Sequence, residues 1–313
     1  MTMLTIALTE TMNVYPEMPE RVADLPRLAD RLEGIRRANV DHHVGLIEKA
    51  AARGAKLVGL GELFAAPYFA LHKDPMWHAL AEDAARGPTV TTLSALAARL
   101  GVVIVAPIYE LGSNGKRYNT AVVIDSSGEI LGKYRKTHIP MGRNEQGEFI
   151  EPFYFGPADE AMELENRGPA NISKNPYFPV FSTAVGKVGV AICYDRHFEG
   201  VMPSLAAAGA EIVLSPAVTF GAKSERMWET EFEVDAMRHR LIIAGSNRLG
   251  TEKPWGQPFF GRSYVTGPNG RAAADRSVPG LVLSAVDVAE LRGPDPSGWD
   301  LARDRRPGIY QST

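Results

Sequence analysis

Cysteine is almost absent from this chain of 313 residues: there is one, Cys193. No disulfide can form within the chain and no four-cysteine zinc site can be built, so a reducing, cytoplasmic setting is the economical expectation. On that reading the sequon Asn171-Ile172-Ser173 is accidental. Long apolar runs are lacking as well. Stretches such as 102–108 fall far short of the roughly 20 residues that cross a bilayer. The start, Met1-Thr2-Met3-Leu4-Thr5-Ile6, has no basic segment before its apolar part and reads as a first strand, not a signal peptide. Charge of one sign is not in excess either: 34 basic against 37 acidic residues leave a formal net charge of −3. Nucleic acids and membrane surfaces demand clustered positive charge, so neither is an expected partner. There is no Gly-x-Ser-x-Gly elbow, no Walker A loop and no Gly-x-Gly-x-x-Gly fingerprint. His42 and His43 are adjacent on a helical stretch and diverge, and the other histidines show no ligand spacing. We expect neither a metal nor an organic cofactor.

What the chain does contain is enough apolar residue, 45%, for a sizeable core. Strand-like runs fall at 4–8, 56–60, 102–107, 120–125, 188–193, 211–215, 241–245, 263–266 and 281–286. Helical patterns fall at 39–53, 90–100, 200–208 and 224–240. Alternation of the two predicts an α/β fold with layers packed around sheet. No low-complexity linker divides the chain, so we read one domain over 1–313. A strand, polar loop and hairpin at 102–136 is echoed about 140 residues later at 241–276. Two similar halves suggest two sheets packed face to face with helices outside; two unrelated hairpins are the alternative. The stretch 141–175 is long, polar and irregular, a length that in compact domains is usually functional or disordered. The tail from about 292 to 313, rich in Pro and Gly, should not fold alone and is expected to pack on a neighbouring subunit.

Three residues could carry chemistry. Cys193 follows the buried-strand pattern Val188-Gly189-Val190-Ala191-Ile192 and precedes a helical segment. A sulfur there sits at the sheet's carboxyl edge, where backbone N–H groups lower a thiol's pKa and can hold an oxyanion. A buried structural cysteine is the competing account. Glu62 ends another strand-like run in an apolar stretch, where desolvation would raise its pKa and suit it to act as a general base; it could instead cap the next turn. Lys136 ends a hairpin arm in which alternation puts Tyr134 and Lys136 on one face and Lys133 and Arg135 on the other. A solvated strand edge is the alternative for that basic cluster. A base, a cation and a thiol at strand ends are the parts that acyl transfer at a carbonyl needs.

These segments resemble the nitrilase superfamily of carbon–nitrogen hydrolases over nearly the whole chain. The likeness rests on Gly61-Glu62-Leu63-Phe64, Gly132-Lys133-Tyr134-Arg135-Lys136-Thr137-His138-Ile139-Pro140 and Val190-Ala191-Ile192-Cys193-Tyr194-Asp195-Arg196-His197. Asn247-Arg248-Leu249-Gly250 and Phe260-Gly261-Arg262-Ser263-Tyr264 also match. The resemblance implies a four-layer αββα sandwich and a catalytic Glu62, Lys136 and Cys193. It also implies a second glutamate, for which Glu151, before the aromatic run Phe153-Tyr154-Phe155, fits best and Glu145 and Glu148 compete. The stretch after the cysteine is most similar to enzymes that cut N-carbamoyl groups, such as β-ureidopropionases. That likeness implies an N-carbamoyl amino acid as substrate, with ammonia, carbon dioxide and the amino acid as products. Arg196 would then bind the substrate carboxylate by bidentate pairing, or instead pair with Asp195, Glu199 or another protein acid. Tyr194, His138 and His197 are further candidates for the pocket. An ω-amidase or aliphatic amidase is the alternative activity, and a non-catalytic binding protein the alternative class. The family likeness also implies a homodimer or higher homo-oligomer.

Overall fold

The computed structural model describes residues 3–159 and 168–309. Along the chain, strands β1 (Met3–Thr9), β2 (Leu57–Gly59), β3 (Val103–Leu111), β4 (Arg117–Ile124) and β5 (Ile130–Arg135) belong to one sheet. β6 (Met141–Arg143) and β7 (Glu148–Ile150) form a separate hairpin. β8 (Val180–Thr183), β9 (Gly186–Val190), β10 (Ile212–Ala217) and β11 (Ile242–Asn247) belong to a second sheet. β12 (Leu249–Glu252) and β13 (Gln257–Phe260) make another hairpin. β14 (Tyr264–Gly267) and β15 (Gly270–Arg271) return to the second sheet, and β16 (Ala274–Asp275) and β17 (Leu281–Asp287) to the first. The first sheet runs β16-β17-β1-β2-β3-β4-β5 and the second β15-β14-β11-β10-β9-β8. In each, three central strands are parallel, β1-β2-β3 and β9-β10-β11. The echoed segments correspond: β3 pairs antiparallel with β4 and β4 with β5, as β11 does with β14 and β14 with β15.

The inner faces of the two sheets interdigitate. Leu8, Val105 and Val123 of the first lie in one core with Val190, Ile212 and Leu214 of the second. Contact is close enough that a Cβ on Gly59 would lie 2.7 Å from Leu214 Cδ1 and 3.0 Å from Leu8 Cδ2. Helices cover the outer faces. α1 (Leu32–Ala52) buries Leu32, Ile35, Val40, Leu46, Ile47 and Ala50, a stripe at helical spacing. α2 (Pro88–Leu100) starts on proline and ends on the left-handed Gly101, whose N–H returns to Ala97 O. On the second sheet lie α3 (Val201–Ala207), α4 (Ala222–Trp228) and α5 (Glu231–His239). The αββα layering is therefore present.

The differences from expectation are local. α1 begins seven residues before the helix read from sequence, because polar Glu33, Arg36 and Arg37 on its first turns obscure the apolar stripe. The helix read over 224–240 is two helices, α4 and α5, broken at Glu229 and Thr230. Cys193 lies outside β9, three residues beyond its end, in a 3-10 turn Cys193–His197. The irregular stretch 141–175 holds the β6–β7 hairpin, and its residues 160–167 lie outside those described. The tail exposes Trp299, Leu301 and Ile309. Among the described residues, no helix is long and apolar enough to cross a membrane.

Gly59→Val should lower stability by about 1–3 kcal/mol through overpacking between the sheets. A urea midpoint lower than that of the unsubstituted protein is expected; an unchanged midpoint would contradict the close packing at β2.

Candidate active site

The carboxyl ends of the central parallel strands of both sheets open on one place. β2 of the first sheet leads into Glu62, β5 into Lys136 and β9 of the second into Cys193. Glu62 and Lys136 are fully buried and Cys193 is nearly so. Lys136 Nζ donates to Glu62 Oε1 at 2.9 Å and to Glu151 Oε2 at 2.7 Å. Glu151 opens a 3-10 turn, Glu151–Phe153, directly after β7. The intervening hairpin accounts for its distance of 15 positions from the lysine. The rival glutamates lie elsewhere. Glu145 is exposed and accepts from the Ala222 N–H at 2.5 Å, and exposed Glu148 pairs with Arg143 at 2.8 Å.

The remaining lone pairs of the two buried carboxylates are met by neighbours that the sequence did not single out. Asn119 Nδ2 donates to Glu62 Oε1 at 2.6 Å, the Val218 N–H to Glu62 Oε2 at 2.8 Å, and the Tyr68 hydroxyl to Glu151 Oε1 at 2.8 Å. Among the described residues Glu62 Oε2 thus has a single hydrogen-bond partner and keeps room for a proton. Cys193 Sγ lies 3.8 Å from the carbonyl oxygen of Val218, so the backbone of one residue touches both the carboxylate, through its N–H, and the thiol, through its carbonyl.

Cys193 has φ of +50°, a left-handed backbone that is uncommon for a side-chain-bearing residue and costs of order 1–3 kcal/mol. Asp195 holds the turn. Its buried carboxylate accepts from the Ile192 N–H at 3.1 Å, the Tyr134 hydroxyl at 2.7 Å and the His138 N–H at 2.9 Å. Tyr134 and His138 flank Lys136, so the nucleophile's turn is tied to the strand end that carries the cation. His138 is committed to this support. Its Nδ1 lies 2.8 Å from Asp195 Oδ1 and its ring stacks on Phe198, and it does not line the cavity. Arg135, on the opposite face of β5, is buried against Glu110 at 2.5 Å.

A second set of contacts sits behind Glu62. Arg248, nearly fully buried, donates through Nη2 to the carbonyls of Glu62 at 3.2 Å, Leu63 at 2.9 Å and Ala66 at 2.8 Å. Its Nη1 pairs with Glu252, whose other oxygen accepts from the Tyr68 N–H at 2.8 Å. The segment it clamps contains Leu63 with φ of +51°. Asn247 accepts the Thr219 N–H at 2.9 Å and so fixes the residues beside Val218. Arg248 and Asn247 lie in a motif whose sequence was legible, but the carbonyls that Arg248 holds are nearly 200 residues away in the chain and the Thr219 N–H that Asn247 holds about 30.

Cys193 and Glu151 line a cavity of about 190 Å3, walled by Tyr68, Phe149, Val218 and Phe220 and bordered by the exposed Glu145 and Lys223. Tyr194, Arg196 and His197 line it too. Arg196 is already engaged. Nη1 donates to Cys193 O at 2.6 Å, Nη2 to Thr219 Oγ1 at 3.3 Å, and Nε faces Glu231 Oε2 at 3.3 Å. The protein acid beside it is therefore Glu231, not Asp195 or Glu199. His197 Nδ1 lies 2.7 Å from the other Glu231 oxygen.

Electrostatics correct one expectation. Burial, and after it the Glu62 carboxylate, push the Cys193 thiol up to about 12, against the pull of Lys136 and Arg196. The N–H groups of a single short turn do not offset this. Burial works against the Lys136 ammonium, but Glu151 and then Glu62 outweigh it and hold its pKa above the ordinary value. Burial pushes the Glu151 carboxyl up, Lys136 pulls it down and Glu62 pushes it up again, so that it stands raised to about 7. A resting thiol beside a carboxylate, an ammonium and a second carboxylate can exchange a proton, attack an electrophilic carbon and stabilise an oxyanion.

The carbon-nitrogen hydrolase family model matches residues 35–293. The chain belongs to the carbon–nitrogen hydrolase family. The chain is 31% identical to N-carbamoylputrescine amidase from Arabidopsis thaliana over 280 residues, 85% of this chain and 86% of that protein. It is 31% identical to β-ureidopropionase from Arabidopsis thaliana over 261 residues, 78% of this chain and 59% of that one. Among solved structures it is similar to a carbon–nitrogen hydrolase from Helicobacter pylori G27. There the TM-score is 0.76 and the identity 26%, with 98% of this chain and 97% of that one covered. This carbon–nitrogen hydrolase is a hydrolase of C–N bonds in the nitrilase superfamily.

Labelling of the single cysteine with iodoacetamide should be slow at neutral pH and climb without a plateau to about pH 9, since the thiol titrates above its ordinary value of about 8.5. A plateau with a midpoint below pH 8 would show a preformed thiolate and contradict this electrostatic account.

Proposed function

We propose that this enzyme hydrolyses a terminal ureido group, R–NH–CO–NH2, through a covalent intermediate on Cys193. The observation that carries the proposal is the buried cluster of Glu62, Lys136 and Glu151 beside Cys193, with Glu151 and Cys193 lining a small cavity. The narrowing to a ureido group is supported by the two relatives above, whose names share the carbamoyl group while the rest of the molecule carries opposite charge.

Glu62 Oε2 takes the Cys193 S–H proton as sulfur attacks the ureido carbon. The oxyanion is met by Lys136, which has used two of its three N–H donors, and by the Tyr194 N–H. Tyr194 is in the first turn after the nucleophile, where N–H groups find no acceptor within the turn. The tetrahedral species collapses, the C–NH2 bond breaks, and ammonia leaves with the proton from Glu62. A thiocarbamate, Cys193–S–CO–NH–R, remains. Glu62 then deprotonates a water that attacks the same carbon, and Glu151 orients substrate and water. The C–S bond breaks, sulfur recovers a proton from Glu62, and the carbamate R–NH–COO− takes up a proton and falls to amine and carbon dioxide.

The sequence-based version, an N-carbamoyl amino acid anchored through its carboxylate by Arg196, is less well supported, because that guanidinium already has protein partners on three sides. Tyr194 and His197 lie at the cavity wall as neighbours of the substrate, and a homodimer or higher homo-oligomer is the proposed assembly.

The test is ammonia release from N-carbamoylputrescine, n-butylurea, N-carbamoyl-β-alanine, butyramide and butyronitrile. Turnover of ureido compounds above the amide and the nitrile is expected. Glu62→Gln should lower kcat by about 10²–10⁴-fold, and Cys193→Ala should abolish turnover while the protein stays folded. Hydrolysis of butyramide or butyronitrile alone would overturn the ureido assignment, and full activity of Cys193→Ala would overturn the chemistry.

A further inference from the structure

Beside the nucleophile lies a charge that the reaction does not use. Arg196 is almost entirely buried, and its Nη1 comes within 3.9 Å of Cys193 Sγ. Anything it recognised would have to lie within a few bonds of the carbon that sulfur attacks. Its three sides are occupied: the carbonyl of Cys193, the hydroxyl of Thr219 and the carboxylate of Glu231, with the Trp228 ring 5.3 Å from its centre. Glu231 is the first residue of α5 and is held on its other oxygen by His197. The contact between Arg196 Nε and Glu231 Oε2 is an ion pair at 3.3 Å without a hydrogen bond, and neither of these two buried atoms has a hydrogen-bond partner among the described residues. Charge compensation, not hydrogen bonding, is what Glu231 supplies to Arg196.

We propose that Glu231 is a specificity-determining residue: by neutralising Arg196 it excludes a carboxylate from the part of the cavity next to the ureido nitrogen. The inference rests on the ureido reading above. A substrate carboxylate brought to Arg196 would meet a second carboxylate already there, at a separation where like charges in a poorly solvated wall repel strongly. The substrate class that fits is a ureido compound with uncharged carbons beside the nitrogen, any charge being carried further out, toward the exposed Glu145 and Lys223. Removing the charge of Glu231 while keeping its shape would turn Arg196 into an uncompensated cation and so into a carboxylate anchor.

The experiment compares N-carbamoyl-β-alanine with n-butylurea, two chains of similar length that differ in the terminal charge, and reads the ratio of their kcat/KM by amine release. The wild-type enzyme is expected to favour n-butylurea. In Glu231→Gln the ratio should move toward the acid by roughly tenfold or more, and in Glu231→Gln with Arg196→Met that gain should disappear. The wild-type ratio tests the proposal even where the variant does not fold: a wild-type preference for the acid overturns it. An unchanged ratio in a folded Glu231→Gln overturns it as well, while leaving ureido hydrolysis intact. Turnover of neither ureido compound by the wild-type enzyme overturns the ureido reading and this assignment together.

Discussion

One buried ammonium holds two buried carboxylates. Lys136 lies between Glu62 and Glu151 with no water-exposed surface, and the three carry one excess negative charge when all are ionised. Charges out of water are tolerated only when paired and hydrogen-bonded; removing one partner of such a group typically costs about 3–5 kcal/mol. Asn119, the Val218 N–H and the Tyr68 hydroxyl supply the hydrogen bonds that complete the cluster. Burial first, and the Glu62 carboxylate of this cluster after it, push the Cys193 thiol up. In the proposed reaction the thiol therefore gives its proton to Glu62 as it attacks. Lys136 is poised to lend its third N–H when charge develops on the substrate oxygen.

The fold makes this cluster by bringing together the ends of two sheets. Glu62 and Lys136 come from the first and Cys193 from the second, so the catalytic distance is a distance between layers. Besides the Val218 N–H on Glu62, two sets of polar ties span it. Arg248 and Glu252, after β11 of the second sheet, grip the carbonyls and N–H of the 62–68 segment of the first. Asp195, beside the nucleophile, grips Tyr134 and His138 on either side of Lys136. The left-handed backbone of both Leu63 and Cys193 falls within these clamped segments. The surrounding hydrogen bonds offset that strain, and the side chains are thereby pre-set in the geometry that the reaction needs.

The layering was legible in the sequence because strands buried on both faces read as continuous apolar runs, and the echo of 102–136 in 241–276 marks the corresponding edges of the two sheets. Glu62, Lys136 and Cys193 stood out because each interrupts or ends such a run with a group that burial makes costly. Their support was not legible. Asn119 stands just before the strand-like run 120–125, and neither it nor Tyr68 lies in a pattern that marks it for a role. Glu231 lay inside the helical pattern 224–240 with nothing to single it out, and only the tertiary structure puts it against Arg196, 35 positions earlier. His138 was a fair candidate from its place beside Lys136, yet its ring serves Asp195. The lowered thiol pKa expected from a strand-to-helix turn failed for a physical reason. One short turn offers little dipole, while full burial beside a carboxylate acts strongly in the other direction.

The most direct measurement is the intact mass of the enzyme quenched during turnover of n-butylurea, with Glu151→Gln used to slow the second half of the reaction. The account predicts an adduct on Cys193 equal to the mass of the substrate less ammonia, absent from Cys193→Ala. Turnover at steady state with no adduct on Cys193 in either protein, or an adduct mapped to another residue, would contradict it.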